Sequence, residues 1–435
     1  MLNLVAHPAS TRRPTACAAS PISVADNPAL WRLAGARRVL LLQGPVGPFF
    51  DRLTEWLADR GASVHRVVFQ RGDQLDCTTV EPAVFRGSLS EWPQALTRLI
   101  TSHRIDCIVL FGQARAYHAC ALAVARELEV DTVVMEEGYL RPGFATMELD
   151  GVNGHSTTLD RYRWCGRVSP VGVAWPRHAA GGGPSFRMAL HAARHYLALG
   201  CLPALNAHYT HHRSTQLADH ALHWLRTAWR WALHHHRDAR TVARLGRERY
   251  YFFPLQNEGD AQITQHSPFA SVMESVARVL ESFAQHAPPD TLLVLRQHPW
   301  SRGDSGSGRT VMELAERLGV AQRVVHLQEG DTARLIQHAA GVVVVNSTVG
   351  LMALHVGRPL MVLGEAVYRR ADLCHAGDLD RFWRHALPPA TRQVAPFLRQ
   401  LIGLTQVACD LYAPRSVPLD WRINSALPAA TRDWS

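Results

Sequence analysis

The chain has 435 residues, 47% of them hydrophobic and 19% charged, with a formal net charge of +9. All 46 basic residues are arginine and none is lysine. This excludes a P-loop NTPase, a pyridoxal-phosphate enzyme and a Schiff-base aldolase, each of which needs a lysine amine. A fixed guanidinium still serves wherever phosphate must be held.

Residues 1–36 mix Ala, Pro, Ser and Thr with Arg12 and Arg13. They are expected to form a flexible segment rather than a secretory signal, because they lack an apolar core. The eight cysteines form no CxxC pair, which suits free thiols in the cytoplasm. No apolar run approaches the ~18 residues of a membrane span.

Short apolar runs follow: Val39–Leu42, Cys107–Phe111 and Thr132–Met135, then Leu292–Leu295, Val342–Val345 and Leu360–Leu363. Rich in Val, Ile and Leu without alternation, they predict parallel strands buried on both faces. Helical patterns separate them at Asp51–Arg60, Trp92–His103, Ala116–Leu128, Val272–His286 and Val311–Leu318. The class is therefore α/β. Its expected form is two doubly wound, Rossmann-like domains facing across a cleft, the GT-B-like layout, with a helical basic insertion. The predicted units are 37–165 for the N-terminal acceptor and catalytic domain, 166–249 for the insertion, 250–390 for the C-terminal donor domain, and 391–435 for C-terminal helices and tail.

Ligands of an open parallel sheet bind beyond the carboxyl ends of its strands. Unusual residues stand there after nearly every run: Gln43-Gly44, Gly112 to Arg115, Glu136-Glu-Gly-Tyr-Leu-Arg-Pro142, Arg296-Gln-His-Pro299, Asn346-Ser-Thr-Val-Gly350 and Gly364 to Tyr368. Adjacent strand residues point to opposite faces, so at most one of Glu136 and Glu137 enters the cleft. A carboxylate there suits a general base or a nucleophile at an anomeric carbon. Gly138 permits a sharp turn. Arg296 and His298 place a cation and an imidazole at one strand end, stiffened by Pro299. Asn346 to Gly350 offers hydroxyls and backbone amides at an expected helix start, a ready anion site.

Between Arg161 and Arg249, 14 arginines face only Asp219, Asp238 and Glu248, a surplus of 11, and the rest of the chain sums to −2. The window also holds 11 of 24 His and five of 12 Trp. Its adjacent histidines lack metal-ligand spacing, so no metal is expected. An interfacial surface meeting anionic headgroups is expected, with Arg226, Trp229, Arg230 and Trp231 facing the membrane. Nucleic acid is not expected, because no binding motif accompanies the arginines.

Taken in order, the motifs from Gln43 to Phe50, Arg71-Gly-Asp73, Phe85-Arg-Gly87, Glu136 to Pro142, Val152-Asn-Gly-His-Ser156, Pro254-Leu-Gln256, His266-Ser-Pro-Phe269, Gln297-His-Pro299, Asn346 to Gly350 and Phe382-Trp383 form one pattern. It resembles that of the bacterial capsule polysaccharide synthesis and export family, in its KpsS/LipB-type branch. The resemblance spans roughly residues 37–390, apart from much of the basic window.

The resemblance implies a β-Kdo transferase of GT-B type that moves Kdo from CMP-Kdo to phosphatidylglycerol, starting the linker of a capsule. By it, Glu137 falls on the catalytic carboxylate and His298 on a contact to the CMP phosphate. Ser347 and Thr348 fall on further phosphate contacts. A β-donor giving a β-product means retention, with Glu137 as covalent nucleophile or, failing that, general base. Gln256, Arg296, Pro299, Asn346 and Gly350 complete the expected donor side. Gln43, Gly44, Arg115, Gly138, Arg141 and His155 are the acceptor or cleft candidates. CMP-Kdo is a substrate, so no cofactor is expected. The expected partners are the inner-membrane surface, its anionic lipid and other capsule proteins, with the chain cytoplasmic and peripheral. Two positions depart from the family pattern: Gln113 where aspartate is commoner, and Arg296 where lysine is. A non-catalytic export component, or a transferase for another nucleotide sugar, are the rival readings.

Overall fold

A computed structural model describes residues 22–24, 26–140, 143–165, 186–201, 229, 234–257, 260–301 and 306–413. The first sheet contains β2 (Arg38–Leu41), β3 (Ser63–Val68), β4 (Ala83–Val84), β5 (Cys107–Phe111), β6 (Asp131–Glu137), β7 (Phe144–Leu149) and β14 (Gln406–Ala408). Its order is β14-β7-β6-β5-β2-β3-β4, parallel except where β7 and β14 join. The second contains β9 (Tyr250–Pro254), β10 (Leu292–Arg296), β11 (Val324–Leu327), β12 (Gly341–Val344) and β13 (Leu360–Val362). It is wholly parallel in the order β11-β10-β9-β12-β13. The chain thus has the expected GT-B-like α/β architecture.

Unbroken apolar strands are used on both faces, as a doubly wound sheet requires. In the first sheet Val39, Leu41, Val109, Val133 and Met135 pack on α1 (Pro28–Ala34) and α2 (Phe49–Ala58). Leu40, Ile108, Leu110 and Val134 face α4 (Trp92–His103) and α5 (Ala116–Glu127), which follow the short α3 (Arg71–Leu75). The second sheet divides likewise. Phe252, Val342 and Val344 lie toward α11 (Thr332–His338), α12 (Val349–His355) and α14 (Thr391–Thr405). Phe253, Leu295 and Val343 lie toward α9 (Val272–His286), α10 (Gly306–Arg317) and α13 (Leu379–His385). The remaining labelled helices are α6 (Thr158–Arg161), α7 (Phe186–Cys201) and α8 (Ala261–His266).

Three of the predicted unit boundaries need correction. Residues 1–36 are not a flexible segment throughout. Asn27 caps α1 through its side chain, and Ala29, Leu30 and Leu33 enter the first core. β1 (Ile22–Val24) pairs in parallel with β8 (Tyr162–Trp164). Where the C-terminal unit is described, to residue 413, it holds one helix and a strand: α14 crosses back and β14 joins the first sheet. The described ends of the 166–249 insertion belong to opposite halves. α7 packs on α3, whereas residues 234–245 are helical and send Val242 and Leu245 into the second core. Asp238 ties that helix down by accepting from the backbone N–H groups of Gln328 and Glu329, both at 2.9 Å.

Candidate functional site

Strand order reverses at one point in each sheet, between β2 and β5 and between β9 and β12. These switch points open crevices at the carboxyl ends of the strands. At the first, Gln43 is buried and its amide donates to both carboxylate oxygens of Asp73, at 2.9 and 3.0 Å. Arg115 bridges the crevice, giving one guanidinium N–H to the Gly44 carbonyl at 3.2 Å. Gly44 lies against the Phe50 ring, where an added Cβ would come within 2.8 Å. Gln113 holds Val152 by both ends: Nε2 donates to its carbonyl at 3.0 Å and Oε1 accepts from its N–H at 3.1 Å. A carboxylate there lacks the donor, which gives the departure at Gln113 a physical reason. Beneath lies His118, whose imidazole burial, with Arg115, pushes down to about 3.

Glu136 and Glu137 end β6 on opposite faces of the sheet, as the pleat demands. Glu137 shares its face with Met135 and receives the hydroxyl of Tyr412, from the segment after β14. Burial, with Glu137 nearby, lifts the Cys409 thiol on this side to about 12. Glu136 accepts from Asn153 Nδ2 at 2.7 Å. Gly138 has no room for a side chain, since a Cβ would stand 2.3 Å from the Phe144 carbonyl oxygen.

Glu148 shares the Glu136 face. It accepts from Tyr139 Oη at 3.0 Å and from the Ser156 hydroxyl, and burial raises it to about 7 although those bonds pull downward. The Tyr139 hydroxyl accepts in turn from the Asn153 N–H at 2.9 Å. The loop after β7 is therefore held from two sides.

At the second switch point Gln256 donates to Asn346 Oδ1 at 2.9 Å, joining β9 to β12. Asn346 Nδ2 donates to the carbonyls of Gln262 at 2.7 Å and His266 at 3.2 Å. Ser347 Oγ accepts from the Val349 N–H at 3.3 Å, and its carbonyl takes the Tyr368 hydroxyl. Thr348 is the N-cap of α12 but makes no capping bond with its side chain. Gly350 lies against Tyr368, 2.6 Å from an added Cβ. Next to β9, β10 ends in Arg296, whose guanidinium donates to Thr332 Oγ1 at 2.9 Å. His298 follows, half-buried, ahead of a 3-10 turn that starts at Pro299.

The two halves meet where an expected residue, His155, touches one outside the expected set, His266. The ring of His155 lies 4.3 Å from that of His266. Gly154 is so close that a Cβ would stand 2.3 Å from His266 Nδ1. Burial holds both imidazoles below their ordinary pKa, with His155 adding to the effect on His266 and Arg126 to that on His155. A continuous path thus runs from Glu136 through Asn153, His155 and His266 to Asn346 and Gln256. His266 stood in a sequence motif without a role, Asn153 likewise, and Tyr412 carried no local signal. Arg141, Arg226, Arg230 and Trp231 lie outside the described residues. Trp229 is 64% exposed. Among the described residues no group of three His, Cys, Asp or Glu is placed to hold a metal ion, and no helix is long and apolar enough to cross a membrane.

A family model described as "Capsule polysaccharide biosynthesis protein" matches residues 106–412. The capsule polysaccharide modification protein LipB of Neisseria meningitidis serogroup B is 31% identical over 406 residues, covering 91% of this chain and 96% of the relative. The capsule polysaccharide export protein KpsS of Escherichia coli is 33% identical over 388 residues, covering 88% and 99%. Among solved structures, Thermosulfurimonas dismutans KpsC, a beta Kdo 2,7 transferase, aligns with 88% of this chain and 96% of its own. Its sequence identity is 12% and its TM-score 0.42.

Proposed function

The chain belongs to the capsule polysaccharide biosynthesis protein family, and from that premise we propose that it is a retaining β-Kdo glycosyltransferase. Its donor is CMP-Kdo and its acceptor a phosphatidylglycerol lipid, so that it starts a capsule linker as a peripheral protein on the cytoplasmic face of the inner membrane. The observation that carries the reading is the contact path from the β6 turn, entered at Glu136, to the second switch point; Glu137, on the other face of β6, takes the reacting role from the family resemblance. The path joins an acidic turn on one sheet to a cationic and hydroxyl-bearing rim on the other.

In this reading CMP occupies the second switch point. His298, Arg296 and the hydroxyls of Ser347 and Thr348 meet its phosphate, and Gln256, Asn346, Pro299 and Gly350 shape the crevice. Fixed donors stabilise a departing phosphate because they need no reorganisation as charge develops. Glu137 attacks the anomeric carbon as the bond to the CMP phosphate oxygen breaks, leaving a glycosyl-enzyme ester. The acceptor hydroxyl then attacks the same carbon, loses its proton and frees the carboxylate. Two inversions give retention. Tyr412 orients Glu137 by its hydroxyl. Gly138 belongs to the turn, Gln43, Gly44 and Arg115 line the first crevice, and His155 faces the donor half.

Incubating the purified chain with fresh CMP-Kdo and a phosphatidylglycerol analogue tests the reading by mass spectrometry. One added Kdo on the lipid is the expected result. No product, under conditions where a relative gives one, would leave a non-catalytic export component. Transfer from another nucleotide sugar alone would move the donor assignment.

A further inference from the structure

The helix α7 has a finished inner face and an uncovered outer one. Inside, His191 lies over Gly47, where an added Cβ would come within 3.0 Å of its ring, and buried His195 lies over Gly72 at 2.6 Å. Gln70 Nε2 stands 3.0 Å from His195 Nε2. Arg194 pairs with Asp76 and donates to the Leu75 carbonyl at 3.2 Å. Asp76 also accepts from the Gly47 N–H at 2.9 Å. The helix is therefore seated on the loops after β2 and β3, at the carboxyl ends of the first sheet.

Outside, Phe186, Leu190 and Leu197 are 82%, 57% and 56% exposed. Spaced i, i+4 and i+11, with exposed Ala193 between, they form a single stripe along the helix. Arg187, 3.9 Å from Asp410, and Arg194, paired with Asp76, border it, each half exposed. The other exposed large apolar residues, among them Leu75, Leu128, Val356 and Leu387, are not arrayed in this way. A stripe of this kind beside cations marks an interaction surface.

The sign of the charge selects the occupant. A second copy would bring one arginine-bordered stripe against another, setting like charges together. The chain's own 202–233 segment carries Arg213, Arg226 and Arg230 against the single acid Asp219, and has the same sign. An anionic surface complements α7 itself, which carries Arg187 and Arg194 and no acid, within a window that has a surplus of 11 positive charges. We propose that the outer face of α7 docks on an anionic bilayer, with Phe186, Leu190 and Leu197 entered among the acyl chains and Arg187 at headgroup depth. Docked so, the loops after β2 and β3 lie at the membrane surface, where a lipid hydroxyl reaches the cleft. That consequence rests on the lipid-acceptor reading, whereas the docking itself does not.

The test is flotation of the full chain with phosphatidylcholine vesicles, with and without phosphatidylglycerol, at low and high salt. Wild type is expected to float with the anionic vesicles, and less so as salt rises. Replacing all three residues (Phe186→Ser, Leu190→Ser, Leu197→Ser) lowers partitioning by roughly tenfold or more, given the apolar area withdrawn from lipid. Hydrogen exchange gives a second readout: anionic vesicles protect residues 186–201 in wild type. Equal flotation of the triple variant, equal wild-type binding to neutral vesicles, or unchanged exchange in 186–201 overturns the proposal. So does crosslinking of that face to 202–233 without vesicles, which would make the cover the chain itself. Transfer to a short-chain acceptor in free solution separates the two readings. It persists in the triple variant if the transferase reading holds, and its absence from wild type leaves a docking result standing.

Discussion

The two switch points solve the same topological problem with different use of their side chains. At the first, between β2 and β5, Gln43, Gln113 and Arg115 all turn back onto the protein, to Asp73, Val152 and Gly44. At the second, between β9 and β12, Gln256 and Asn346 form a comparable brace. There, however, the Thr348 side chain makes no capping bond. The difference is that the first crevice is braced by three side chains turned onto the protein, whereas the second leaves a helix start without a side-chain cap, where the proposed donor phosphate would sit.

The comparison breaks most sharply at the glutamates. Glu137→Gln is expected to lower transfer by about three orders of magnitude or more, as loss of a nucleophile does. CMP binding should survive. Glu136→Gln, which alters only the Asn153 side of the turn, should keep most activity. If steady-state kinetics found the reverse, the reacting carboxylate would be Glu136. Next, His298→Ala should cut kcat/KM by about a hundredfold, the scale of one lost electrostatic donor. The same change should weaken CMP binding measured by calorimetry.

Gly154→Val drives a side chain into His266 and so separates the halves. Transfer is expected to fall about tenfold, with recovery in the double variant carrying His266→Ala. The two smallest effects concern stability. Burial lifts Glu148 from 4.5 to about 7, so the folded chain holds a proton that the unfolded chain releases. Its contribution is full below pH 4.5 and declines as pH rises through 7. Glu148→Gln should therefore raise stability at pH 8 by about 1–3 kcal/mol and flatten the fall in Tm between pH 5 and pH 8. Gln113→Asp removes the donor to Val152 and should cost about 1–3 kcal/mol in urea unfolding.

The strands read from the sequence are buried on both faces, where the run of Val, Ile and Leu stays unbroken; β9, buried as fully, was not read because its run is aromatic. β3 was not among them, since His65 and Arg66 interrupt it. Arg66 is nonetheless buried, paired with Asp51, which also accepts from Thr78 and Thr79. β7 and β14 were missed for a different reason. One is half polar, with Thr146 and Glu148 on its inner network, and the other has three residues whose partner lies some 260 positions away. At the site, location was legible and engagement was not. Gln43, Arg115 and Arg296 were read as strand-end residues, and they stand at the ends of β2, β5 and β10. The run of strand ends could not say that their polar groups meet Asp73, Gly44 and Thr332, because those bonds depend on loops with no periodic signal.

The return of β14 to the first sheet sets the order of assembly during synthesis. Until residues 406–408 emerge, β7 is an open edge, and Glu137 has no Tyr412 to meet it. An unpaired edge is a template for misassociation. The first sheet is therefore finished last, after the second. A chain stopped short of β14 should accumulate as aggregate even though its second sheet is complete.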